Sequence, residues 1–545
     1  MADELSTPVL IVGGGTGGVA AALAIAETGG SCVLIEPGDR LGGQLTAQAV
    51  PPDENRWVEP GGEVQGCNAS YQRFRQGVRD WYRQHRRLTP AAHADPRLNP
   101  GGGWVSRLCY EPAVGQAVLE AMLEPHVASG RVRLMMRHAA IEADVEGDSV
   151  QAVTFLDEDA GRRVTVQAEI FLDATELGDL LPITGCEHRI GAESQRDTGE
   201  LHALAGDADP MDQQAITWVF AAEHRPGEDF TGDPPAGYDR WAAFVPQLTP
   251  PWPGPLFSWT ICGEAHAPRH LAMVPWPDEP AEGELELWRY RRVVDRAAHA
   301  ASDADAPPAD VTLVNWVQND YFRRPTLGVD PAAQLAAFDD AKAQSLCLLH
   351  WLRTAAPRHD GGHGYPGLRL APHVMGTTDG FAAAPYIREA RRLEAQLVLS
   401  EAHVGADQRR AAGHADATPL HTPAGERFDD TVAIGHYPID LHPSTSGRNQ
   451  VYVEACPFHV PLRSLLPVRL TNLIAAGKCL GVTHVANGCT RLHPVEWAIG
   501  EAAGTLAALA RGSRLSAWSY ASSPGHVETL HKTLADAGVP LAWPW

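Results

Sequence analysis

Residues 9–46 constrain this chain more than any other stretch. A β-branched apolar run, Val9 to Val12, leads into Gly13-Gly14-Gly15-Thr16-Gly17-Gly18. An Ala-rich helical run follows, then a second apolar strand, Cys32 to Ile35, closing on Glu36. Strand, tight glycine turn, helix and strand in this order and length match a dinucleotide-binding unit. Gly13 permits the tight turn, Gly15 lets backbone approach a pyrophosphate, and Gly18 lets helix and strand pack closely. Thr16 and Gly17 open the helix, whose N-terminus offers free N–H groups and a positive dipole end to phosphates. Glu36 stands where a carboxylate accepts both hydroxyls of an adenosine ribose.

With 545 residues the chain exceeds one core, so two or more domains or a large insertion are expected. The composition, 44% hydrophobic and 20% charged, is that of a globular protein. A net charge of -23 argues against nucleic acid and against an anionic membrane as partners. No apolar run reaches the length of a membrane span, and the N-terminus has no basic or apolar leader, so a soluble, cytoplasmic protein is expected. Arginines at 73, 75, 79, 83, 86 and 87 interleave with aromatic residues at helical spacing. The preferred reading is an amphipathic helix with a solvated basic face, the other being an anion site. Nine scattered cysteines with no CxxC fit reduced thiols better than a disulfide or zinc scaffold. Cys67, in a glycine-bounded loop, is either a position from which a cofactor could be tethered or, as is far commoner, a buried or idle thiol.

Along the chain, periodicity predicts a helix from Pro112 to about Ser129 and strands at 131–136, 139–145, 150–156 and 163–172. Prolines cluster between 205 and 330, where seven of the fifteen tryptophans also fall. This stretch reads as a sheet-rich inserted substrate domain, its tryptophans filling a core or stacking a sugar or aromatic ligand. Helices are expected over 331–352, with Asp330 as N-cap, and over 386–402. Residues 403–431 and 482–494 read as loops, and 495–510 as a helix rich in small residues. The expected division is 1–205 for a first part, 206–430 for the insertion, 431–515 for a return to the first domain, and 516–545 for a tail with one helix.

The segments VGGGTGGVAAALA, EPGDRLGGQLT, FLDATELGDLL, APYIREARRLEA, IDLHPST and NLIAAGKCLGVTHVANGCTRLHPVEWAIGEAAG span both ends and the middle. Together they resemble the FAD-dependent oxidoreductases of the glutathione-reductase-like flavoprotein superfamily, within a bacterial subgroup known as FAD-dependent oxidoreductases. The resemblance implies an α/β fold: a Rossmann-like FAD-binding domain with a parallel sheet, plus an inserted α+β substrate domain. It implies FAD as cofactor and, as its contacts, Gly13, Gly15, Thr16, Gly17, Gly18, Glu36, Arg40, Gly43, Gln44, Thr46, Ala174, Thr175, Gly477, Lys478, Val495 and Glu496. Lys478 is a departure, since an aspartate that bonds the ribityl chain commonly follows this glycine. The ribityl contact must then come from backbone or another group, or Lys478 must meet a phosphate. The resemblance also implies that the helix beginning at Val495-Glu496 aims its N-terminus at the flavin pyrimidine, favouring negative charge there.

No second GxGxxG follows a strand, so a hydride is expected from the substrate and not from a bound nicotinamide. This favours an oxidase or dehydrogenase acting on a small polar molecule such as an alcohol, amine or sugar. A monooxygenase or hydroxylase, and a non-catalytic flavin-carrying or nucleotide-binding regulator, are the alternatives. Such an oxidation needs a proton acceptor, and histidine titrates near neutrality. His442 and His493 are the first candidates, with His484, Asn487 and Arg491 beside them. No spacing of ligands supports a metal. Arg388 and Glu389 either steady the flavin loop or belong to an ordinary i,i+3 pair of Glu389 with Arg392. The partner is a small-molecule substrate, and a homo-oligomer is compatible with the sequence.

Overall fold

The computed structural model describes residues 3–59, 61, 64–280, 286–301, 308–414, 417–418 and 425–544. The N-terminal part runs β1 (Asp3–Val12), α1 (Thr16–Glu27), β2 (Cys32–Glu36), α2 (Ala69–His85), α3 (Pro112–Ala128), β3 (Val132–Met136), β4 (His138–Glu146), β5 (Ser149–Asp157) and β6 (Arg162–Asp173). These strands form one sheet in the order β3-β2-β1-β6-β5-β4. The pairs β3–β2, β2–β1 and β1–β6 are parallel, while β4 and β5 extend the sheet as an antiparallel meander. Val9 to Val12 and Cys32 to Ile35 are buried along their whole length, as continuous apolar runs must be in a parallel sheet covered on both faces.

The inserted part has its own core, running from Ala215 to Ile387. It contains β7 (Phe220–His224), β8 (Arg292–Val294), β9 (Val311–Val314), α4 (Pro331–Thr354) and β10 (Leu368–Leu370). The sheet order is β8-β9-β7-β10, with every pair antiparallel. Asp330 caps α4, its carboxylate accepting from Ala333 N–H at 2.9 Å. Five of the tryptophans expected in this region, Trp241, Trp252, Trp259, Trp288 and Trp316, are buried in this core. Leu393, Leu399 and Val404 already belong to the first core, so the chain re-enters it well before residue 430.

The return supplies β11 (Leu473–Ala475), which adds in parallel to the C-terminal end of β6. It then supplies α5 (His484–Thr490) and α6 (His493–Gly512). Helices α1 and α6 meet backbone to backbone. A Cβ on Gly500 would lie 2.1 Å from the Gly17 carbonyl oxygen, and one on Gly17 would lie 1.9 Å from that of Ala476. The close approach requires glycine at both positions. It joins the two ends of the chain against one sheet.

Several expectations are corrected. The segment 386–402 is extended, not helical, bridging Thr217, Arg189, Pro467 and Val482 in turn. The cause is charge: Arg392 is buried among Glu389, Glu193 and the carbonyls of Gly191 and Val482, contacts that outweigh helical propensity. The expected loop 482–494 contains α5, capped by the Thr483 hydroxyl at 3.2 Å from Ala486 N–H. The stretch 403–431 contains a helix at Ala406–Ala411, with 415–416 and 419–424 outside the described residues. The tail has two helices, Ala517–Ala521 and Pro524–Asp536. The basic face of α2 is solvated only in part: Arg73 is exposed, as are Arg86 and Arg87 just beyond the helix, whereas Arg75 and Arg79 are buried and share Glu59, with Glu54 also on Arg75. All nine cysteines are buried, and none is in a disulfide.

Replacing Gly500 by Val tests the α1–α6 contact. Forced overpacking of this kind costs about 1–3 kcal/mol or more, so thermal unfolding is expected at least several degrees lower, with reduced flavin content. An unchanged melting temperature would refute the close approach.

Candidate active site

The glycine turn between β1 and α1 opens a cradle. Gly13 has φ of 99°, and a Cβ there would lie 2.3 Å from the Ala174 carbonyl oxygen. The turn is thereby pressed against the segment after β6. Asp173 holds that segment, accepting from Thr175 N–H at 3.0 Å, Thr175 hydroxyl at 2.7 Å and Leu180 N–H at 3.1 Å. At the end of β2, Glu36 accepts from Gly14 N–H at 2.7 Å and Gly38 N–H at 2.8 Å. Burial pushes its carboxyl up to about 7 against the pull of those two amides. Thr16 donates to the Gly42 carbonyl at 3.0 Å and Thr46 to that of Leu41, which shapes the Gly42-Gly43 loop over the helix start.

Gly15 and Gly43 face each other there: a Cβ on Gly43 would lie 3.1 Å from Gly15 Cα. The nearest side-chain atom to either is the Glu176 carboxylate, whose Oε1 is buried without a hydrogen-bond partner. An unpartnered anionic oxygen thus stands at the N-terminus of α1, where helix geometry favours anions. Gln44 Oε1 and His493 Nε2 are likewise buried and unpartnered in the neighbouring wall. Lys478 bonds Glu176 and lies 3.5 Å from Glu496, and Gln44 bonds both Glu496 and the Arg491 carbonyl. Burial disfavours the Lys478 ammonium, but the two carboxylates outweigh it and keep it charged. Helix α6 begins beside this network with Leu492 as N-cap and no side-chain cap; Pro494 has no N–H, and Val495 and Glu496 N–H donate to the Leu492 carbonyl at 3.0 and 2.9 Å. Gly477 lies against Glu496, at 3.4 Å from a built Cβ, and Val495 is buried in the first turn. A cradle floored by backbone, unpartnered polar atoms and an uncapped helix start fit a flavin dinucleotide.

Not every expected contact is there. Arg40 donates to the carbonyls of Met375 and Gly376, so its charge ties the cofactor loop to the inserted domain. Cys67 is packed against Val58 and Gln72, and burial pushes its thiol up to about 12, leaving it a poor nucleophile.

Beside the cradle lies a cavity of about 340 Å³, lined by Asp53, Arg291, Arg388, Asp440, His442 and Arg491 together with aromatic side chains. His442 lies between two carboxylates, with Nδ1 at 2.6 Å from Asp320 and Nε2 at 3.5 Å from Asp440. Asp320 also accepts from Thr217 at 2.6 Å and pairs with Arg388 at 3.1 Å. Burial and Arg388 lower the pKa of His442, but Asp320 and Asp440 prevail and raise it overall. Arg491 donates to Tyr386 at 2.6 Å and to the Asp440 carbonyl at 2.9 Å. It therefore lines the cavity with its side chain while its carbonyl is held by Gln44 of the cofactor loop.

The other candidates separate by geometry. His493 Nδ1 accepts from Asp53 N–H at 3.0 Å, and burial followed by Lys478, Arg291 and Arg491 drives its pKa well below the usual value. It is neutral with its proton on Nε2, a donor and not a base. His484 lies outside the cavity, bonded to Arg448 and 3.2 Å from Glu389. Asn487 donates to the Arg388 carbonyl at 3.0 Å and so positions that arginine's backbone. Glu389 does pair with Arg392, but both are buried, so the pair is neither helical nor on the surface. The sequence analysis missed Asp320, Asp53 and Arg291. Asp320 and Arg291 lie in the inserted domain without a motif, and only the fold brings them to His442 and Arg491. Among the described residues no cluster of three or more His, Cys, Asp or Glu could hold a metal, and no helix is long and apolar enough to cross a membrane.

The parallel sheet, glycine cradle and uncapped C-terminal helix together define a dinucleotide-binding flavoprotein. The family described as FAD dependent oxidoreductase matches residues 8–519, and the chain belongs to it. It is an FAD-dependent oxidoreductase. No curated protein matches it significantly. Among solved structures it is similar to E. coli quinol fumarate reductase FrdA (11% identity, 98% of this chain and 74% of that one, TM-score 0.32). It is also similar to L-proline dehydrogenase from P. horikoshii (14%, 32% and 23%, 0.18) and to the flavin-dependent monooxygenase PieE (19%, 41% and 36%, 0.25). It thus spans about a quarter and a third of the length of those two.

Gly15→Leu tests the cradle. A Cβ at this position would lie 2.7 Å from Glu176 Oε1, and the rest of the side chain fills the space where Gly15 and Gly43 face each other. The variant is expected to fold, by circular dichroism, yet purify colourless. Full flavin content in a folded variant would refute the placement.

Proposed function

We propose that this enzyme oxidises a small polar molecule, the hydride passing to its flavin, as an oxidase or dehydrogenase. The observation that carries the reading is the cavity in which His442 is held by Asp320 and Asp440, joined to the cofactor loop through Arg491. FAD supplies a two-electron acceptor there. The chain supplies the proton chemistry. Asp320 accepts from His442 Nδ1–H and so fixes the tautomer, which leaves Nε2 in the cavity wall to take a proton. Arg388 holds Asp320 ionised against the effect of its burial. A second support is the inserted domain itself. Its four-stranded sheet is antiparallel, and no second strand–glycine turn–helix unit occurs among the described residues. The substrate, not a nicotinamide, is the hydride source in this reading.

The pH dependence follows from the raised pKa of His442. Proton abstraction needs the neutral imidazole, which predominates only above that pKa. The rate of anaerobic flavin reduction by a saturating substrate is therefore expected to rise with pH through a value above about 6.5, the unperturbed histidine pKa. His442→Ala should keep its FAD, lose that limb and slow reduction by about a hundredfold or more. A wild-type profile in the variant removes His442 from the mechanism. Incorporation of label from oxygen into the product would sink the oxidase reading in favour of a monooxygenase.

A further inference from the structure

The cavity wall carries an imbalance. Three buried arginines line it, Arg291, Arg388 and Arg491, and their carboxylate partners, Asp53, Asp320 and Asp440, lie at unequal distances. Arg388 sits 3.1 Å from Asp320, and Arg491 sits 3.5 Å from Asp440. Arg291 has only Asp53, at 3.9 Å, although its side chain is just 10% exposed. Its Nε and Nη1 are buried with no hydrogen-bond partner. The same holds for Nε of Arg388, Nε of Arg491, Nδ2 of Asn315 and Nε1 of Trp316. The unpartnered acceptors among the lining residues are Asp53 Oδ1 and Gln318 Oε1. Arg291, with two unpartnered nitrogens and its one carboxylate at 3.9 Å, is the lining cation that an anionic ligand would complete.

We infer that the substrate is a small monocarboxylate, its carboxylate held by Arg291 and its apolar remainder against Trp104, Ile261, Leu271 and Leu287. This rests on the oxidase reading of the same cavity and narrows its substrate. Of the three buried arginines in the wall, Arg291 alone has no carboxylate within 3.5 Å, a single deficit that matches one carboxylate. Arginine is the side chain whose planar fork matches that group. The four apolar residues line the same cavity.

The test titrates the FAD-loaded enzyme with benzoate, with benzamide of the same shape, and with the dianion succinate, by calorimetry. Benzoate is expected to bind at least about thirtyfold more tightly than benzamide, the scale of a truncated buried charge contact. It should also bind more tightly than succinate. Arg291→Met should abolish the preference for benzoate over benzamide, and Arg291→Lys should keep part of it, which separates loss of charge from loss of folding. Equal binding of acid and amide, no binding of benzoate up to about 10 mM, or an undiminished preference in Arg291→Met would overturn the inference. Tighter binding of succinate would overturn the single-carboxylate assignment. Anaerobic bleaching of the flavin in a substrate screen reports the oxidase reading separately. A protein that binds benzoate but is bleached by no substrate fails that reading alone.

Discussion

The structure depends on one contact in which two helices touch through their backbones. Gly17 of α1 and Gly500 of α6 are separated in sequence by almost the whole chain, yet neither position has room for a methyl group. Gly504 repeats the condition one turn on, with a Cβ 2.4 Å from the Ala21 carbonyl oxygen. This contact fixes where α6 begins, and hence where its uncapped first turn points. It also brings Lys478 and Glu496 to the cradle that the N-terminal turn builds. The insertion between β6 and β11 can vary in composition because it is held outside that contact. The geometry of the candidate site then depends on the few bonds that stitch the two parts together: Arg40 to Met375 and Gly376, Arg491 to Tyr386, and His442 to Asp320.

The second organising feature is charge kept away from water. Arg75 with Arg79, Arg392, Arg388 and Lys478 are all nearly fully buried, and each sits against carboxylates. Removing one partner of such a pair leaves the other uncompensated, at roughly 3–5 kcal/mol. The pairs therefore constrain which loop lies over which element more tightly than apolar packing does, because an ion has few acceptable neighbours. Arg291, in the cavity beside the cradle, is the exception, since its one carboxylate, Asp53, stands 3.9 Å away.

The cofactor half of the protein was legible because its chemistry is local. A glycine turn, the strand before it, the helix after it and an acidic residue on the next strand lie within forty residues, and period and composition identify each. The expected strands 131–136, 139–145, 150–156 and 163–172 appear within a residue or two at each end. The failures share one cause. Segment 386–402 has a helical composition, but its arginines and glutamates are claimed by partners 90 to 200 residues away. Helix α5 is short, and its Thr483 cap is a weak signal within a run of histidine and asparagine. Arg75 and Arg79 of α2 look like part of a solvated face until Glu54 and Glu59 fold over them. His442 could be named from sequence, but Asp320, which makes it a candidate base, could not, because no motif links two residues 122 positions apart.

Burial of all nine thiols bears on how a flavoprotein meets peroxide. Burial pushes Cys32, Cys67, Cys109 and Cys186 up to about 12. At neutral pH, on the order of one such thiol in a hundred thousand is a thiolate, the form that peroxide attacks. A flavin that passes electrons to oxygen releases peroxide within a few ångströms of its own protein. A chain that keeps its sulfur protonated and out of water resists that by-product without any dedicated repair device.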